Sequence, residues 1–229
     1  MSDRLRDLRI VVTGASRGLG RAVAEAFAAE GARLVVTATR AQHLSSVLGA
    51  LGPSAEGVAL DLRDTASIRA AAAHAVAVLG RVDVVVLSAG LLGVRAPLAD
   101  YPMDEWEDVM AAGVTGNLRF LQCVLPAMAD GGAIVTVSSG AAGRAGWGAY
   151  AVAKAALDGM TRMLREELAP RRIRCVAISP GGMRTRMRAA AYPGEDPATL
   201  PHPSAVVEPF VAVAAGADPG PYVEAREWS

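Results

Sequence analysis

Tyr150 and Lys154 stand four residues apart in Gly146-Trp147-Gly148-Ala149-Tyr150-Ala151-Val152-Ala153-Lys154, at the start of a predicted helix. On a helix that spacing puts both side chains on one face, so a phenol and an ammonium can point into one cleft. A phenol ordinarily holds its proton to about pH 10, and a fixed positive charge beside it lowers the barrier to proton exchange. The chemistry open to such a pair is proton transfer to or from an oxygen. The same spacing also fits a helical tyrosine beside a solvated lysine, so the elements that hold the pair have to decide.

Those elements alternate. Residues 8–13 form a β-branched run that ends in Gly14, Gly18 and Gly20, and residues 22–29 read as helix. Apolar runs at 34–36, 57–60, 82–87, 133–137 and 173–178 predict further strands. Helical patterns fall between them at 44–51, 65–79, within 104–128 and at 149–168. Strands apolar on both faces and separated by helices predict a parallel sheet covered on both sides. Residues 204–215 look helical, and 221–224 could add a last edge strand. The expectation is one Rossmann-type, doubly wound α/β domain over residues 1–229, with about seven strands.

Composition agrees and narrows the function. At 229 residues and 52% hydrophobic content, the chain can bury one sizeable core. Lys plus Arg and Asp plus Glu both total 23, so no overall field favours nucleic acid or an anionic membrane. Cys123 and Cys175 have no metal-ligand spacing and are read as buried thiols, and no metal is expected. Residues 1–9 lack an apolar segment of signal-peptide length, and no apolar run is long enough to span a bilayer. A cytoplasmic protein without membrane partners is expected.

The glycine turn carries the next inference. Gly14, Gly18 and Gly20 follow a strand and open a helix, where glycines let the backbone approach a pyrophosphate held at the helix N-terminus. The second strand ends in Thr39-Arg40 without an acid, and Arg17 sits inside the turn. A carboxylate there would bind the ribose 2′-hydroxyl of NAD, whereas arginines suit the 2′-phosphate of NADP. NADP(H) is therefore preferred, with NAD(H) possible. Asp61 is placed to meet the adenine edge or, alternatively, to cap the helix beginning near Thr65.

Taken together, the chain resembles a classical short-chain dehydrogenase/reductase from Leu8 to about Met187. The segment from Thr13 through Gly20, including Ser16 and Leu19, is similar to the family's cofactor motif. Asp61-Leu62 matches its adenine-side position, Tyr150 and Lys154 its catalytic pair, and Ser179-Pro180-Gly181 with Thr185 the segment after the sixth strand. The resemblance implies that Tyr150 is the general acid in carbonyl reduction and the base in oxidation. It also implies that Lys154 lowers the Tyr150 pKa and binds the nicotinamide ribose, and that Ser139 holds the substrate oxygen. Ala89 and Gly90 would border the cofactor, and Pro180, Gly181 and Thr185 would close on its carboxamide. A homodimer or homotetramer is expected, partly because apolar residues such as Met160 and Met163 occupy more than one face of the long helix.

Three departures qualify the resemblance. Ser88-Ala89-Gly90 replaces the family's Asn-Ala-Gly. Gly113 occupies the position of the family's active-site Asn; Asn117, one turn later, could partly compensate or be an ordinary polar residue of that helix, the second being preferred. Ser139 lies about two residues nearer the tyrosine than is common, with Ser138 the neighbouring candidate. Gly113 and the short serine loop motivate an alternative function, a cofactor-binding scaffold or redox-sensing regulator. A halohydrin lyase is disfavoured by the glycine turn and by Lys154. A small carbonyl or alcohol substrate would be walled by residues 91–101, 140–147 and 183–203, where Arg184, Arg186 and Arg188 could attract an anion or form a solvated lid.

Overall fold

The computed structural model describes residues 3–228. Strands β1 (Arg9–Val12), β2 (Arg33–Ala38), β3 (Ala55–Ala59), β4 (Val82–Leu87), β5 (Met128–Val137), β6 (Arg174–Ser179) and β7 (Tyr222–Glu224) form one sheet in the order β3-β2-β1-β4-β5-β6-β7. Every pairing is parallel. β1 past its first residue and β4 along its length are buried on both faces, as their Val- and Ile-rich runs require, with Asp83 a buried carboxylate at the start of β4.

Helices cover the two faces. One face buries Val23 and Phe27 of α1 (Gly18–Ala29), Val47 of α2 (Ser45–Leu51) and Phe210 of α8 (Glu208–Ala214). The other buries Ile68 and Ala75 of α3 (Thr65–Leu79), Phe120 of α5 (Gly116–Val124) and Leu164 of α6 (Gly148–Glu167). The remaining helices, α4 (Met103–Met110) and α7 (Arg186–Ala191), lie in segments that follow β4 and β6. Strand order reverses between β1 and β4, so the crevice beyond their carboxyl ends is where such sheets take ligands.

Two expectations are refined. β5 begins at Met128, upstream of the expected 133, because the Asp130–Gly132 stretch lets its backbone stay beside β4 through a register irregularity between Val82 and Val84. The 204–215 segment splits into a short 3-10 turn at Pro203–Val206 and α8, with Pro209 near the start of α8. Cys175 is buried, and burial pushes its thiol up to about 12. Cys123 is exposed, contrary to expectation, because it lies on the outward face of α5 while Phe120, Leu121 and Val124 take the inward one.

Candidate active site

The catalytic-side residues converge where β5 ends and α6 begins. Tyr150 and Lys154 lie on the buried face of α6, exposed by only 9% and 8%. Lys154 Nζ donates to the Val137 carbonyl at 2.6 Å and lies 5.6 Å from the Tyr150 ring centroid. Ser139 is half-buried at the end of β5, and its hydrogen bond to Tyr150 favours the phenolate. Ser138 is buried and turned toward Asp158, so the two neighbouring serines separate cleanly. The short loop after Ser139 is pinned: Ala141 N donates to Ser139 Oγ at 3.1 Å, and Gly143 N to the Ala151 carbonyl of α6 at 3.1 Å.

Burial governs the charges of the pair. It pushes the Tyr150 phenol above its usual value, with the Ser139 hydrogen bond opposing, and it brings Lys154 down to about 8. The expected depression of Tyr150 by Lys154 is not seen: desolvation, which disfavours both charged forms in a dry cleft, raises the phenol, and only the Ser139 hydrogen bond opposes it. Asp158, one turn beyond Lys154, acts the other way on the ammonium.

Gly113 lies in a π-helical turn, Ala111–Thr115, between α4 and α5. Asn117 is fully buried, which goes against the preferred one of its two readings, an ordinary polar helix residue. Its Nδ2 donates to the carbonyls of Gly113 at 3.0 Å, Ala112 at 3.1 Å and Ala89 at 3.4 Å. The π turn carries one residue more than an α turn, and that rotates Asn117 inward toward the end of β4. A Cβ at Gly113 would come within 3.1 Å of Ala153 Cβ, so this helix pair packs closely at a site without a side chain.

The cofactor side is a backbone cradle. Gly14 (φ 70°) lies against Ala89, whose Cα would be 2.8 Å from any Cβ there. Gly20 faces the Gly14 carbonyl, 2.5 Å from a Cβ position. Larger residues would fill the turn or force it open. Thr13 Oγ1 accepts from Ser88 N and Ala89 N at 3.0 and 3.1 Å, tying β1 to the segment after β4; Ser88 thus fits here through its backbone. Arg17, at the N-cap of α1, makes no side-chain cap, so the first-turn amides stay available to an anion. Ser16 and Leu19 lie in the glycine turn and the first turn of α1, and Gly90 just after β4; Leu19 is buried and the other two half-buried, and the open backbone of the turn fits a pyrophosphate.

Further positions are resolved individually. Arg17 and Arg40 are exposed and form no ion pair among the described residues. Asp61 pairs with Arg63 at 3.0 Å, which holds its carboxyl below the usual range. Capping of α3 belongs to Asp64 instead, which accepts from Ala66 N at 2.8 Å. Leu62 is buried beneath Gly116. Thr185 caps α7, and its Cγ2 lies 3.4 Å from the Cβ position of Gly18, which brings the segment after β6 over the glycine turn. Arg226 was not foreseen: its guanidinium bonds to the Gly182 carbonyl and packs on Gly181, so the tail braces the Pro180-Gly181 turn. No pattern in the sequence marks that long-range contact.

The seven-stranded parallel sheet with its glycine turn and Ser-Tyr-Lys cleft defines a Rossmann-type oxidoreductase. Residues 9–196 match the short chain dehydrogenase family, and the chain belongs to it. It is 38% identical over 215 residues to an uncharacterized oxidoreductase, YciK, of Escherichia coli K12, covering 90% of this chain and 85% of that protein. It is 36% identical over 184 residues to the 3-oxoacyl-acyl-carrier-protein reductase FabG of Salmonella typhimurium, covering 79% and 75%. A short chain dehydrogenase from Shigella flexneri, complexed with NADP, superposes with a TM-score of 0.92 at 33% identity, over 99% of this chain and all of that one. One from Escherichia coli CFT073, complexed with NADPH, gives 0.92 at 34%, over 98% of both. Among the described residues no helix is long and apolar enough to cross a membrane, and no cluster of His, Cys, Asp and Glu could hold a metal.

Proposed function

We propose that this chain is an NADP(H)-dependent carbonyl reductase, reversible as an alcohol dehydrogenase, with Tyr150 as the general acid or base. The observation that carries the reading is the Ser139–Tyr150–Lys154 cleft at the strand ends, beside a glycine turn built for a pyrophosphate. Unpaired Arg17 and Arg40 support the 2′-phosphate, as do the NADP and NADPH complexes of similar chains.

Bound NADPH would supply the hydride to the carbonyl carbon. Ser139 Oγ donates a hydrogen bond to the carbonyl oxygen and orients it. Tyr150 Oη gives that oxygen its proton as negative charge develops, a transfer worth roughly 10²–10⁴-fold in such sites. Burial suits Tyr150 to this direction, because it keeps the phenol protonated. Lys154, anchored on Val137, stabilises the phenolate left behind and hydrogen-bonds the cofactor ribose. Gly14, Ser16, Gly18, Leu19 and Gly20 cradle the pyrophosphate. Asp61 and Leu62 flank the adenine, Ala89 and Gly90 lie along the dinucleotide, and Pro180, Gly181 and Thr185 meet the nicotinamide end.

The test follows NADPH and NADH consumption with a panel of ketones, aldehydes and quinones. Turnover with NADPH should fall at least about 100-fold in Tyr150→Phe while NADPH affinity is retained. NADPH binding without any carbonyl reduction above the Tyr150→Phe level would favour the scaffold reading, and tighter binding of NADH would reverse the cofactor assignment.

A further inference from the structure

The loops that wall the catalytic cleft meet around one cation. Arg95, in the segment after β4, lies with Cζ 4.5 Å from the Trp147 ring centroid and 4.8 Å from that of Tyr192. Its Nη1 donates to the Ala191 carbonyl at 2.7 Å. An arginine on an exposed loop ordinarily samples many rotamers; here two aromatic rings and a carbonyl fix its place. Trp147 lies 5.9 Å from Tyr150, centroid to centroid, so the charge sits one aromatic ring away from the phenol.

Two arginines of the segment after β6 are already satisfied. Arg188, stacked on Tyr192 at 3.8 Å, is neutralised by Glu195 through bonds of 2.6 and 2.7 Å. Arg184 lends its Nη2 to the Leu200 carbonyl at 3.3 Å. Arg95 has no carboxylate partner among the described residues, and its Nε and Nη2 find no acceptor there. That unused edge has the fork geometry that matches the two oxygens of a carboxylate. Arg95 lines an open cavity of about 600 Å³ whose other walls include Leu92, Pro97, Ala191 and Pro193, all apolar side chains.

We propose that Arg95 anchors an anionic group of the substrate. The substrates would be carbonyl compounds that carry a carboxylate beyond an apolar spacer comparable in length to the Trp147 ring. The inference rests on the carbonyl-reductase reading above and deepens it. With the carbonyl oxygen at Tyr150 and Ser139, the spacer runs along Trp147 and the carboxylate meets the Nε–Nη2 edge. An α-oxo acid has its two groups on adjacent carbons and cannot reach both ends. The aromatic rings exclude water from the guanidinium faces, which concentrates its hydrogen bonding on that edge.

The test uses the full chain, NADPH and a series of oxo carboxylates of increasing spacer length, each beside its methyl ester. At low salt the acid of matching length should exceed its ester in kcat/KM by ~10-fold or more. Arg95→Ala should bring the acid-to-ester ratio to about one, chiefly through KM, and Arg95→Lys should keep part of it. A wild-type ratio of one or below, or a ratio that Arg95→Ala leaves intact, overturns the proposal; melting curves establish that the variants fold. If no member of the series is reduced, the carbonyl-reductase reading fails for these substrates. Calorimetric titration of the same acids into the NADP⁺ complex then judges Arg95 separately. Binding lost in Arg95→Ala supports the anchor, and equal binding by both proteins, or none by wild type, sinks it.

Discussion

Lys154 keeps its ammonium where almost no water reaches it, and the pH dependence follows from that. Its folded pKa is about 8, against 10.5 unperturbed. Between those values the unfolded chain binds the proton and the folded chain does not, so the unfolding free energy gains a rising contribution with pH. Urea midpoints of wild type relative to Lys154→Met should climb from about pH 8 to about pH 10. Cys175, raised to about 12 from 9.0, acts in the opposite sense above its unfolded value and cancels in that comparison. The same deprotonation removes the positive charge beside Tyr150, so kcat/KM for carbonyl reduction should decline above about pH 8. The residues of this cleft were legible because Tyr150 and Lys154 are neighbours on a helix and need only local geometry. Their protonation was not legible, since desolvation depends on how the whole cleft is packed.

At the scale of elements, the π turn before α5 is the least regular feature near the site. Asn117 spans it with bonds to Ala89, Ala112 and Gly113, which fixes the end of β4 against the helix that backs Lys154. Asn117→Ala should cost about 1–3 kcal/mol, because those buried carbonyls lose their donor, and chemical denaturation measures it. Asn117→Asp should restore less than the conservative shape suggests, since a carboxylate cannot donate. Gly113→Asn alone should destabilise, because its Cβ meets Ala153, and pairing it with Ala153→Gly should recover stability. A helix phase read at constant period cannot contain a π turn, so the sequence does not decide whether Asn117 faces inward or is an ordinary polar residue. Strands and helices were otherwise legible, since each is set by its own hydrophobic period. The Arg226 brace on Gly182 was not, because residues forty-four apart in sequence carry no joint pattern.

Across the whole molecule, the apolar surface left on the single chain bears on assembly. Met163 on α6 is 64% exposed and Met103 on α4 is 61% exposed. The expected homodimer or homotetramer would cover such residues; sedimentation equilibrium should find an oligomer that Met163→Glu shifts toward smaller species. The doubly wound order was foreseeable in kind from the alternation of strands and helices, but the placement of β7 beside β6 needed tertiary contacts. Strand order also divides the sheet: β1 pairs with β2, and through it β3, on one side and meets β4 on the other, with Ile10 opposite Val84.

That seam has a kinetic meaning. β1 and β4 are neighbours in the sheet but are separated in the chain by everything from α1 to α3, and that long stretch must fold back before the Thr13 hydroxyl can catch the Ser88 and Ala89 amides. A dinucleotide lying from Gly14 to Ala89 would bridge the two margins and recognise only chains in which they have already met. Refolding from urea with NADPH present should therefore raise the yield of native protein and slow its unfolding, making the cofactor a fastener of the fold as well as a reagent.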